Sequence, residues 1–114
     1  MIKKNYKGRR IKKSVSKAKN VCKTYNEIQL AYLEKLQANN DIAEIQCNVP
    51  LDAELSDYTT DFFCVNSDGD ILVRECVYRK HLCKPMTIKL LDDSRLYWIN
   101  RGVTDWGLVI DAEK

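Results

Sequence analysis

The chain has 114 residues, 45% of them apolar and 31% charged, and a net charge of +3. That is one domain of ordinary size with one modest core, in the range of globular rather than disordered chains. No apolar run approaches the roughly 20 residues of a membrane span and no signal-peptide core follows the basic N-terminus, so a cytoplasmic protein without a membrane partner is expected.

The charge is unevenly placed. Residues 1–24 hold ten Lys or Arg and no acid, while the remaining 90 hold nine basic and sixteen acidic residues, so a segment of +10 precedes a body of −7. A one-signed arm of this length points to a polyanion, most often nucleic acid; the plainer alternative is a solvated tail that aids solubility. Tyr6 is its one aromatic, which favours phosphate contact over base stacking. Lys3, Lys4, Lys7, Arg9, Arg10, Lys12 and Lys13 are therefore the expected nucleic-acid contacts. Residues 1–22 read as a flexible basic arm, and 23–114 as the folded domain.

Thr24 with Glu27 three residues on matches the capping box, and Ile28, Ala31, Tyr32, Leu33 and Leu36 follow at helical spacing, predicting a helix over 25–38 that ends at Asn39-Asn40. Ile42–Asn48 alternates as a short strand closed by Pro50, and residues 51–60 read as a loop. Two β-prone runs, Phe62–Val65 and Ile71–Val73, flank an Asp-Gly turn, so a hairpin is expected over about 60–79. Pro85 suits the first turn of a second helix over 86–100, with Gly102 as its C-terminal cap. Trp106–Ile110 then reads as a buried final strand. The order predicts a small α/β fold, a mixed sheet of about four strands flanked by helices.

The hairpin carries the chemistry. If Ser67-Asp68-Gly69 is a three-residue loop, Gly69 takes the left-handed position, Phe63 faces Val73, Val65 faces Ile71, and Asp61 faces Glu75. Two carboxylates roughly 5 Å apart repel one another and suit a hard divalent cation, Mg²⁺ or Mn²⁺. A two-residue loop would instead set Asp61 against Cys76, and acids near strand ends also occur for solubility alone. The five cysteines, at 22, 47, 64, 76 and 83, include no C-x-x-C pair, so reduced thiols are expected. Cys76, His81 and Cys83 match no established zinc spacing. Trp98 and Trp106 read as packing residues rather than a base-stacking platform.

The succession of elements and acids resembles the PD-(D/E)XK nucleases, and more narrowly the N-terminal domain of the TnsA-like endonucleases of transposons. The matching stretches are YNEIQLAYLEKLQANNDIAEIQCNVPL, a Glu-bearing helix and its strand; DYTTDFFCVNSDGDILVRE, the acidic hairpin; and KPMTIKLLDDSRLYWINRGVTDWGLVID, the last helix and strand. Together they cover residues 25–111. The resemblance implies a small restriction-endonuclease-like fold and metal-dependent hydrolysis of DNA phosphodiesters. It further implies Mg²⁺ or Mn²⁺ at Glu27, Asp61 and Glu75, and a transposase or other mobile-element protein as partner. The chain departs from the family where an acid should be followed, two residues on, by Lys: here the run is Glu75-Cys76-Val77. Arg79 and Lys80 are the nearest residues able to supply that cation. The expected function is a metal-dependent DNA endonuclease of a mobile genetic element; the alternative is a nuclease fold that has lost catalysis and binds DNA or protein, as a regulator or inhibitor from a phage or transposon.

Overall fold

The computed structural model describes residues 11–13, 15–18, 22–51 and 59–111. The elements are β1 (Ile11–Lys13), β2 (Cys22–Thr24), α1 (Glu27–Ala38), β3 (Ile42–Pro50), β4 (Thr59–Asn66), β5 (Ile71–Val77), α2 (Pro85–Ile99) and β6 (Asp105–Ile110), with a single 3₁₀ turn at Arg79–His81. β3, β4, β5 and β6 form one sheet in that order. β4 pairs antiparallel with both β3 and β5, and β6 pairs parallel with β5, a connection that requires a crossover, here α2. The α/β architecture with a mixed four-stranded sheet between helices is therefore as expected.

The side-chain period of two along a strand assigns the helices to opposite faces. Phe62 and Cys64 of β4, with Leu72 and Cys76 of β5, pack with Ile28, Leu33 and Leu36 of α1. Phe63 and Val73, one residue out of phase, pack with Leu90, Tyr97 and Trp98 of α2. Each face thus has its own core, and the sheet between them is closed to water along its middle.

Local chemistry sets the element ends. The cap of α1 is Asn26 rather than Thr24: its Oδ1 accepts the Gln29 N–H at 2.9 Å, and Gln29 Oε1 accepts the Tyr25 N–H at 2.7 Å. A cap followed three residues later by Gln is the same capping logic moved two residues along. Thr24 is unavailable because it lies in β2, paired with Ile11. α2 starts with Pro85 in its first turn. Its end is a Schellman arrangement, with Gly102 at φ +84°, Gly102 N–H donating to Ile99 O and Val103 N–H to Trp98 O.

Two expectations are corrected. The body begins before residue 23: β1 pairs antiparallel with β2, Val15 and Ala18 pack on the core under α1, and the Lys17 amine donates to Leu36 O and Asn39 O at the end of α1. A run of lysines concealed this segment's few apolar anchors. β6 is an edge strand, not a buried one: Leu108 is 41% exposed. The expected loop over 51–60 lies mostly outside the described residues, and Thr59 and Thr60 are already in β4.

Candidate functional site

The β4–β5 hairpin has the three-residue register. Phe63 pairs with Val73 and Val65 with Ile71, Gly69 takes φ +86°, and the Asn66 N–H donates to Asp70 O. In this register Asp61 stands opposite Glu75. The backbone ladder ends one pair earlier, at Phe62 and Arg74, and the acids continue it with their side chains. The Asp61 N–H donates to Glu75 Oε1 at 3.0 Å, and the Cys76 N–H donates to Asp61 Oδ2 at 2.7 Å.

The remaining oxygens reach the two helices. Gln29 Nε2 of α1 donates to Asp61 Oδ1 at 3.2 Å, and the Ser94 hydroxyl of α2 donates to Glu75 Oε2 at 2.5 Å. The Trp106 indole N–H donates in turn to Ser94 Oγ at 3.1 Å, and beside it the Trp98 indole N–H donates to Thr60 Oγ1 at 2.8 Å. A chain of hydrogen bonds so passes from α1 through the opening between β4 and β5 to α2 and β6. Asp61 is 2% exposed and Glu75 fully buried. Burying such groups is tolerable only because each oxygen has a donor.

Glu27 is not part of this set. It is the first residue of α1 and exposed. Residues two apart on a helix point to different sides, so when Gln29 turns inward to Asp61, Glu27 turns outward. It lines an open cleft of about 770 Å³ together with Tyr32, Lys35, Tyr78, Arg79 and Asp111. Arg79 is bound within this cleft: its backbone N–H donates to Asp111 Oδ1 at 2.7 Å and its Nε to Asp111 O at 3.1 Å. The Arg79 N–H holds the Asp111 carboxyl below its ordinary range. Lys80 is exposed, its amine 5.5 Å from the centre of the Tyr78 ring. Val77, at the place of the expected Lys, is 6% exposed and pairs with Ile110.

The expected catalytic residues therefore divide into two groups. Asp61 and Glu75 meet; Glu27 and Arg79 line the open cleft, and Lys80 is exposed outside both. A Mg²⁺ or Mn²⁺ ion keeps several waters and asks for octahedral room, whereas the buried pair already accepts a protein hydrogen bond at each of its four oxygens. The residues present do not fit the three-carboxylate cation site. Among the described residues no group of three His, Cys, Asp or Glu is arranged to hold an ion.

Gln29, Ser94 and Trp106 were not anticipated as members of this centre. Gln29 had a readable signal, the Asn26-to-Gln29 capping spacing; Ser94 had none beyond being a small polar residue on the apolar face of α2. Of the arm residues, Lys12 and Lys13 lie in β1, whereas Lys3, Lys4, Lys7, Arg9 and Arg10 lie outside the described residues. No helix among the described residues is long and apolar enough to cross a membrane. The chain matches no protein-family model and no curated protein.

Proposed function

We propose that the chain binds nucleic acid without cutting it, using a restriction-endonuclease-like frame whose acidic pair has become a structural brace. The observation that carries this reading is the state of Asp61 and Glu75. Both are buried, and their four oxygens are occupied by two backbone N–H groups, an amide and a hydroxyl. Val77 supports it, since a buried aliphatic group stands where a nuclease needs an amine to orient water. The basic run ahead of an acidic body supplies the attraction, because a body of −7 would by itself repel DNA.

Binding to duplex DNA tests the reading. Fluorescence anisotropy at several salt concentrations should give a steep fall of affinity with salt, in proportion to the phosphates neutralised. Changing Lys3, Lys4, Lys7, Arg9 and Arg10 together to Gln in the full chain should flatten that slope by roughly four to five. Unchanged affinity and slope would sink arm-driven binding. A second reading, a metal-dependent endonuclease of a mobile element using Mg²⁺ or Mn²⁺ beside a transposase, is favoured by one observation, the register that sets Asp61 opposite Glu75.

A further inference from the structure

One flank of α2 carries a row of exposed residues with a symmetry of its own. Leu91, Ser94 and Trp98 are the buried residues of the helix and turn toward the sheet. Ile88, Asp92, Arg95 and Ile99 follow one another at steps of four, three and four, the spacing that keeps side chains on one stripe of a helix. All four are exposed, Ile88 at 47% and Ile99 at 41%. Leu96 borders the row one turn beyond Asp92 and is also exposed. Large aliphatic groups gathered on one stripe in water mark a surface that takes a partner. The charges between them are uncommitted. Among the described residues neither Asp92 nor Arg95 joins an ion pair, whereas their neighbours Lys89 and Asp93 pair with each other at 3.1 Å.

We propose that α2 docks against α2 of a second copy of this chain, antiparallel about a two-fold axis midway between Asp92 and Arg95. A two-fold interface needs a surface that complements itself, residue i meeting j while j meets i. The row satisfies this because it runs Ile, acid, base, Ile at spacings that read the same from either end. In the antiparallel pair Ile88 meets Ile99 of the partner subunit and Asp92 meets Arg95 of the partner subunit, and each contact is made twice. A parallel pair would set Asp92 on Asp92 and Arg95 on Arg95, like charges that repel, so the charge pattern selects the antiparallel form. Leu108 of the edge strand β6 is exposed on the face of the sheet that carries Trp106 and α2, and it adds apolar area beside the helix. The row from Ile88 to Ile99 is only ~16 Å long. One helix from each copy is a small interface beside the roughly 1,600 Å² of standard stable ones, so dissociation constants on the order of 10–100 μM are expected.

The test is sedimentation equilibrium of the full chain from roughly 5 to 500 μM, in a reducing buffer that excludes a disulfide through the exposed Cys83. The wild type should show a reversible monomer–dimer equilibrium. Ile99→Asp should weaken it about tenfold or more, with circular dichroism verifying that the variant is folded. Two charge reversals at exposed positions carry the test whether or not Ile99→Asp folds. Asp92→Arg alone and Arg95→Asp alone each set like charges across the axis and should lose the dimer. Mixed in equal amounts, the two variants should associate, because each then faces the opposite charge at both central contacts. An ion pair within one helix would gain nothing from mixing. A wild type that stays monomeric over the whole range would overturn the proposal. So would a dimer that a folded Ile99→Asp leaves unchanged, or a mixture that associates no more tightly than its components.

Discussion

The Asp61 N–H donates to Glu75 Oε1 at 3.0 Å, so two acids placed to share a cation are instead joined by a hydrogen bond. The same geometry makes Glu75 the acceptor for Ser94 and Asp61 the acceptor for Cys76. The pair replaces the last rung of the β4–β5 ladder and ties both helices to it.

Removing Glu75 should therefore unfold the protein more easily with no metal involved. Glu75→Ala leaves the Asp61 N–H and the Ser94 hydroxyl without this acceptor and opens a cavity, a loss of roughly 3 kcal/mol or more. Glu75→Gln keeps one carbonyl acceptor and the shape, and should lose less. Urea unfolding in the presence of a chelator measures both. Equal, negligible losses would mean that the pair does not brace the fold.

Glu27 and Gln29 of α1 should separate in the same assay. Glu27→Gln, at an exposed first-turn position, removes only a favourable helix-dipole term and should change stability by roughly 0.5 kcal/mol or less. Gln29→Glu removes the amide donor to Asp61 and sets a second carboxylate against it, and should destabilise by roughly 2 kcal/mol or more. A larger loss at Glu27 than at Gln29 would contradict the assignment of Gln29 to the buried centre.

Much of this arrangement was legible in the sequence. Alternation about Asp68-Gly69 marked the hairpin, and its three-residue form the meeting of Asp61 and Glu75. The two-residue form, which sets Asp61 against Cys76, was equally compatible with the local spacing, and only the pairing of Phe63 with Val73 decides between them. Pro85 and Gly102 marked the ends of α2. The start of α1 was misread by two residues because two capping spacings overlap, Thr24 with Glu27 and Asn26 with Gln29. Choosing between them required knowing that Thr24 is held in β2 by Ile11, a pairing across thirteen residues with no local signal. That shift of two residues exchanged a Glu for a Gln at the acidic pair. Burial of the pair was also unreadable, since it depends on Ser94 and Trp106 arriving from another helix and another strand.

The cap itself gives a direct check. Asn26→Ala removes the acceptor for the Gln29 N–H and should destabilise by about 1 kcal/mol. Hydrogen exchange at the first turn of α1 should quicken in step. Unchanged protection there would argue against Asn26 as the cap.

Alkaline stability should report on Cys64. Burial pushes its thiol up to about 12 from an ordinary 9.0. The unfolded chain thus releases this proton first, so the thiol's contribution is complete below about pH 9 and is lost as pH rises toward 12. Cys64→Val keeps an apolar group without the titration and should soften the alkaline fall in unfolding temperature. At pH 8, thiol reagents should label the exposed Cys83 well before Cys64. Labelling of Cys64 first would contradict its placement in the core.

The most direct measurement is incubation of the full-length chain with supercoiled and branched DNA in Mg²⁺ or Mn²⁺, with Asp61→Ala and Glu75→Ala alongside. The predicted result is DNA bound but recovered uncut, with no rise in the wild-type unfolding temperature on adding either ion. Metal-dependent cutting by the wild type that both substitutions abolish would contradict the account and make the pair a catalytic centre.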